Sequence, residues 1–349
     1  MNFLSDNHLY ESVAALPKID LHRHLEGSIR VETLIEVARL YQIDLPESDV
    51  ETLRPHVQIV KGDPRTWREF LGKFRVLRRF FQSPEVIKHI TREVVIDAAD
   101  DNVKYLELRF TPHALSRHID CTYYDVVSWV CETVRAVEAT HDIQVGLILS
   151  MNRHEELQIG EEILRTALEF HDCGIAGLDL AGQEPGYPAE PFRKVFLKAK
   201  EANLGVTIHA GEWAGPENVR RAVEHLGADR IGHGVRSADD PDLIEFLIER
   251  GVLLEICPTS NIQSGVVSEM SRHPLVELFK HNVRTTINTD DPAISNITLT
   301  DEIVHVVENT TLTIEDIKQQ ILTAAAGAFL PEDERAALVN RFETLLASS

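Results

Sequence analysis

The sequence predicts an α/β protein, a (β/α)8 TIM barrel, from three observations. Eight apolar runs of strand length punctuate the chain, at about residues 18–24, 105–112, 145–152, 176–182, 205–211, 230–235, 252–259 and 284–290. Helix-sized segments separate most of them, the spacing of βα units and hence of a parallel sheet. Histidine or aspartate closes the first, fifth, sixth and eighth runs, and only closure of a barrel brings the first and last strands side by side. A doubly wound open sheet is the structural alternative and leaves that last observation unexplained.

The elements follow in order. The first run, Ile19-Asp20-Leu21-His22-Arg23-His24, alternates so that His22 and His24 face the same side of a strand. The connection to the second run is too long for one helix. Residues 25–104 hold helix-like stretches at about 31–42, 66–81 and 84–101, an insertion on the face where barrel enzymes carry lids and substrate walls. Trp67, Phe70, Leu71, Phe74, Leu77 and Phe81 recur there at helical spacing. They fit either an amphipathic helix packed on the core or a wall facing a substrate. Pro216–Leu226 reads as a helix with proline in its first turn, and Pro241–Arg250 as one ended by Gly251. Beyond residue 298 the pattern is helical, with Pro331 at a helix start. No repeat, low-complexity tract or linker interrupts the chain, so one domain is expected over residues 1–349.

Composition narrows the function. A formal net charge of −21 argues against nucleic acid or an anionic membrane surface as partner. It also disfavours strongly anionic substrates, unless local arginines overcome the field. Cys121, Cys131, Cys173 and Cys257 show no CxxC spacing, so neither a disulfide framework nor a thiolate metal site is expected. The first eighteen residues lack a basic segment followed by an apolar one, and the longest apolar runs are strand-sized. A cytoplasmic protein acting on a neutral small molecule is the expectation, with no nucleic acid and no membrane partner; the oligomeric state is left open.

The chemistry-bearing residues sit at the predicted strand ends. His22 and His24 form an HxH pair, which alone is only moderately specific among sixteen histidines. Thr207-Ile208-His209-Ala210-Gly211-Glu212, Ile231-Gly232-His233-Gly234 and Thr286-Ile287-Asn288-Thr289-Asp290-Asp291 add imidazoles and carboxylates at the same rim. Imidazoles with a carboxylate suit Zn²⁺, whose catalytic sites keep one position for water. That water ionises near neutral pH. Glu212, past a glycine, reads as a solvated loop residue or as a buried acid held protonated beside an apolar substrate. The glycines around His233 suggest close approach by a ligand or another backbone. Asp290 and Asp291 can act at one site only where the chain leaves the strand; one can then bind metal while the other holds water.

Two rival chemistries are set aside. A binuclear barrel hydrolase often carries a bridging lysine at the end of the fourth strand, which here reads Gly177-Leu178-Asp179-Leu180-Ala181-Gly182. A cytidine-deaminase-type site needs HxE with PCxxC, and Cys257-Pro258-Thr259-Ser260-Asn261 has neither the order nor the second cysteine.

The segments LHRHLEGSIR, YLELRFTPH, GLDLAG, TIHAGE, RIGHGV, CPTSN and NTDDP, taken in order, resemble the adenosine deaminase family across nearly the whole chain. The resemblance implies a (β/α)8 barrel with one Zn²⁺ per chain, held by His22, His24, His209 and Asp290. It implies that Glu212 protonates the purine N1, that His233 and Asp291 position and activate the attacking water, and that the Gly182 backbone meets the purine ring. The substrate-side set is His24, Glu26, Gly182 and Asp291, to which the helical wall adds Phe70 and Phe74. The implied reaction is deamination of adenosine and 2′-deoxyadenosine.

Two positions depart from the adenosine-specific pattern. Glu26 stands where those members commonly have Asp, and HLEG also occurs among adenine-specific relatives; Gln183 stands where Asp is usual. Both GLDLAG and HAGEWAGPENV resemble the adenosine branch more than the adenine branch. Deamination of adenine, or of a 5′-modified adenosine such as aminodeoxyfutalosine, is the alternative. A non-catalytic purine- or zinc-binding protein is a remote one.

Overall fold

The computed structural model describes residues 3–45 and 49–348, with side chains described from residue 8 onward. The first two residues of the segment read above for targeting signals therefore lie outside the described residues. All eight expected strands form: β1 Lys18–His24, β2 Val103–Phe110, β3 Gln144–Asn152, β4 Ile175–Ala181, β5 Gly205–Ala210, β6 Arg230–His233, β7 Leu253–Ile256 and β8 Arg284–Ile287. They pair in chain order, every pair parallel. The strands are buried on both faces, and the burial takes in polar residues such as Asp20, His22, Glu107, Arg109, Asp179 and Glu255.

The barrel closes just beyond the end of β8. Asn288 Oδ1 accepts from the Leu21 amide at 2.9 Å. Past it, the His24 amide donates to Asp290 O and the Asp290 amide to His22 O, both at 2.8 Å. The seam thus ties the HxH pair directly to the Asp290-Asp291 doublet.

The insertion after β1 holds α2 Val31–Tyr41, α3 Val50–Val57, α4 Trp67–Leu77 and α5 Pro84–Asp100, after an N-terminal α1 Phe3–Ala15. Three of the four insertion helices match the expected stretches. The exception, α3, is short and interrupted by Pro55, too weak a pattern to stand out in sequence. Helix α4 starts where Thr66 accepts from the Glu69 amide, and α5 where Ser83 accepts from Val86 with Pro84 in the first turn. The aromatic series divides. Phe70, Leu77 and Phe81 are core residues, while Trp67, Leu71 and Phe74 are partly exposed, and all but Leu77 and Phe81 line the cavity described below. The series therefore packs one face into the core and turns another to the cavity, with Phe81 lying past the end of α4.

The remaining helices lie outside the strands, including Glu217–Leu226 after Pro216 and Pro241–Arg250 ended by left-handed Gly251. Helices Leu299–Asn309, Ile314–Gly327 and Glu332–Ala347 complete the chain. Phe329, between the last two, closes the N-terminal end of the barrel. A Cβ on Gly205 would lie 2.3 Å from its ring, so β5 starts with the one residue that admits it. The four cysteines are free, and no helix among the described residues is long and apolar enough to cross a membrane.

Candidate active site

The C-terminal ends of the strands surround a cavity of about 510 Å³, within the range of small-molecule sites. His24, Glu26, Phe70, Phe74, Gly182, His209, Glu212, His233, Asp290 and Asp291 line it. Every substrate-side residue expected from sequence is in this wall. Of the expected set only His22 is absent from the lining, because it lies fully buried beneath it.

His22, His24, His209 and Asp290 each offer a ligand atom within 4.8 Å of the others. Two of the imidazoles are oriented from below. His22 Nδ1 lies 2.8 Å from Glu255 Oε2, and His209 Nδ1 lies 2.9 Å from Asp179 Oδ1. Carboxylates accept, so both Nδ1 atoms carry the proton and both Nε2 atoms present lone pairs to the centre. His22 Nε2 is buried without a hydrogen-bond partner, and His24 Nε2 faces His209 Nε2 at 3.3 Å. The His209 lone pair thus meets His24 Nε2 across a gap that a proton on His24 or a cation between the rings can bridge. Three imidazoles and a carboxylate are a nitrogen-and-oxygen donor set that fits Zn²⁺, and with four protein ligands a water would be the fifth.

Asp290 reaches this centre by leaving the strand. Its φ of 61° is left-handed, and Ser260 Oγ donates to its Oδ2 at 2.7 Å. Burial raises its pKa, but the His22 ring, 3.3 Å away, and the His233 and His24 rings hold it well below the usual carboxylate range. Asp291 goes the other way: burial and the charges of Asp290 and Glu26 push it well up, and its Oδ1 has no partner. In the HLEG segment, a Cβ on Gly27 would lie 1.7 Å from that oxygen, so glycine is needed for Asp291 to sit here.

Glu212 is buried 3.5 Å from His233 Nε2. Desolvation, then the charges of Asp290, Glu184 and Asp291, raise its pKa well above the ordinary value, which favours the protonated acid at the cavity wall. His233 also has a left-handed backbone, φ 62°. Its ring tautomer follows from a relay. The Leu275 amide donates to His273 Nδ1 at 3.0 Å, so His273 Nε2 carries a proton toward Asn261 Oδ1 at 3.3 Å. Asn261 Nδ2 then points at His233 Nδ1, 3.1 Å away. His233 Nδ1 accepts, and its Nε2–H faces the cavity. Burial keeps His273 neutral, its pKa pushed down to about 3, and also lowers that of His233.

Several of these groups escaped the sequence reading. Asp179 lies within GLDLAG and Asn261 within CPTSN, yet neither was singled out. Glu255 left a signal, a lone carboxylate in the apolar run Leu253–Ile256. Glu184, beside the atypical Gln183, accepts from the amides of Gly211, Glu212, Trp213 and Ala214, at 2.7, 3.1, 2.8 and 3.0 Å. It fixes the loop that carries Glu212.

The sequence and the fold are similar to those of known proteins. The adenosine deaminase family model matches residues 17–345. An adenosine deaminase from Klebsiella pneumoniae (strain 342) is 39% identical over 331 residues, covering 94% of this chain and 98% of its own. Among solved structures, adenine deaminase from Arthrobacter aurescens superposes with a TM-score of 0.87 at 25% identity, covering 95% of this chain and 99% of its own. An N6-mAMP deaminase from arabidopsis superposes at 0.85 with 29% identity, covering 96% and 99%.

Proposed function

The chain belongs to the adenosine deaminase family, and we propose that its own reaction is the hydrolysis of adenosine and 2′-deoxyadenosine to inosine and 2′-deoxyinosine with release of ammonia. The carrying observation is Glu212, a buried carboxyl with a raised pKa that shares one cavity with the His22, His24, His209 and Asp290 cluster. His22, His24, His209 and Asp290 would hold one Zn²⁺. Bound there, the ion lowers the pKa of a water molecule enough for attack at neutral pH.

The chain's residues do the rest. Attack at C6 breaks the ring's aromaticity and throws charge onto N1. Glu212 gives its proton to N1 as that charge forms, general-acid catalysis worth ~10²–10⁴-fold. His233 donates Nε2–H to the attacking oxygen and so aims it. Asp291, at the cavity beside Asp290, takes one proton from the water and returns it to the departing amino nitrogen, and the second water proton, released as the C6 carbonyl forms, restores Glu212. The Gly182 backbone edges the purine, and Phe70 and Phe74 cover the sugar side. Glu26 Oε2, buried and without a partner, is placed to accept from the sugar 5′-hydroxyl.

Adenine, favoured by the HLEG segment and by the likeness to an adenine deaminase, is the competing substrate. Steady-state rates on adenosine, deoxyadenosine, adenine and AMP, followed by ultraviolet absorbance with and without chelator, separate them. The nucleosides should give the highest kcat/KM and lose turnover on metal removal. A higher kcat/KM for adenine overturns the nucleoside reading, and full activity in a metal-free protein overturns the zinc reading.

A further inference from the structure

The four ligands named above are not the only set at this centre. His22, His233, Cys257 and Asp290, all buried, also bring one ligand atom each within 4.8 Å of the others. The two sets share His22 and Asp290; one adds His24 and His209, the other His233 and Cys257. His22 Nε2 has a single lone pair, so the sets compete for one ion. Thiolate is a preferred donor to Zn²⁺ and to softer ions, so donor chemistry by itself does not favour the set without the cysteine.

The proton on His233 withholds the second set. His233 faces that centre with Nε2, which lies 3.9 Å from Asp290 Oδ2 and 3.5 Å from Glu212 Oε2. A protonated nitrogen has no lone pair to give a metal. On the other side of the ring, Nδ1 meets Asn261 Nδ2 at 3.1 Å. The Asn261 amide is kept from turning over by His273 Nε2, 3.3 Å from its Oδ1, because the Leu275 amide can only donate to His273 Nδ1. His233, Asn261 and His273 are all buried, so solvent offers none of them another partner. The backbone of Asn261 is fixed as well: its amide donates to Cys257 O at 3.0 Å, and its carbonyl accepts from Val266 and Val267.

We propose that Asn261 and His273 are positioning residues that select where a metal ion sits. By keeping the His233 proton on Nε2, they deny an ion the set that contains Cys257 and leave it the set that contains His24 and His209. This rests on the metal-binding part of the reading above and goes beyond it. In the cysteine-containing position, the thiolate would cancel more of the ion's charge and leave a bound water less acidic. His233 would then be consumed as a ligand instead of aiming the water.

The relay is read in the zinc-loaded protein by a long-range ¹H–¹⁵N spectrum of the imidazoles, with His233 identified as the signal missing in His233→Gln. Wild-type His233 should show a bare Nδ1 and a protonated Nε2. Asn261→Asp keeps the side-chain shape but accepts from both neighbouring rings, so the two nitrogens of His233 should exchange roles. The metal position is read with Co²⁺ in place of Zn²⁺. Cobalt bound to thiolate gives an intense near-ultraviolet charge-transfer band, and cobalt bound only to imidazole and carboxylate does not. The band should be absent in the wild type, appear in Asn261→Asp, and vanish again in Asn261→Asp/Cys257→Ser. Both wild-type readouts stand even if the variants fail to fold. A protonated Nδ1 in the wild type, a thiolate band in the cobalt-loaded wild type, or a folded Asn261→Asp without the band overturns the proposal. A thiolate band in the wild type overturns this inference alone, whereas a wild type that binds neither cobalt nor zinc overturns the metal-binding reading and this inference with it.

Discussion

Two layers of the same barrel interior treat their carboxylates in opposite ways. In the lower layer Glu107, Asp179 and Glu255 each meet a guanidinium. Arg230 pairs with Glu107 and, at 2.7 Å, with Glu255; Arg109 lies 2.8 Å from Glu255 and 3.6 Å from Asp179. Burial opposes ionisation of Glu255, but Arg109 and Arg230 outweigh it and hold its pKa well below the usual range. At the mouth, Glu26, Glu212 and Asp291 have no guanidinium within ion-pair distance, and burial raises all three. One layer is complete by itself and serves as a platform. The other is left wanting partners, which marks where a cation and a substrate belong.

This contrast can be broken from either side, and the largest effect is expected at the mouth. Glu212→Gln should keep fold and metal content but lower kcat by ~10²-fold or more, because an amide cannot give a proton to N1. Near-wild-type kcat in a zinc-replete variant removes Glu212 from its role. Its unfolding free energy should not fall, since no ionised partner loses a pair.

In the lower layer the effect falls on stability instead. Arg230→Met strips Glu107 of its guanidinium partner and leaves Glu255 with Arg109 alone. Loss of one member of a buried pair costs roughly 3–5 kcal/mol, readable by urea unfolding. A variant as stable as the wild type would show that this layer is not the platform described here.

A third test uses a mouth-side carboxyl away from the ligand cluster. Glu302, fully buried, accepts from the Thr259 amide at 2.7 Å, and desolvation pushes its pKa up to about 7. Its folded pKa lies above the ordinary 4.5, so its contribution to stability is complete below that value and is lost as pH rises through 7. The loss amounts to about 3 kcal/mol. Between about pH 5 and about pH 8 the wild type should lose more stability than Glu302→Gln; equal pH slopes would refute it.

The smallest effect sharpens the join between the layers. Asp179→Asn weakens the acceptor for His209 Nδ1–H, and losing such an orienting carboxylate typically lowers metal affinity ~10–100-fold. Competition with a chelator measures it, and saturating Zn²⁺ should restore kcat. Unchanged affinity would mean that His209 is oriented by its strand alone.

The amino-acid order by itself determined the eight strands, their sequence, and the residues at their C-terminal ends. Strand runs are local, and a barrel sends all such ends to one mouth, so His22, His24, His209, Glu212, His233, Asp290 and Asp291 could be named without coordinates. Helix α3 was lost because its eight residues carry a proline and little periodicity. The tertiary structure alone decided what depends on meetings between distant residues. Glu255 meets His22 across 233 positions, and Arg230 meets Glu107 across 123. Such pairs leave no local period, because the two partners lie on different strands far apart in the chain. The tautomer of His233 and the raised pKa of Glu212 belong to the same class. Each is fixed by which charges and donors end up adjacent, and by how much water burial removes from around them.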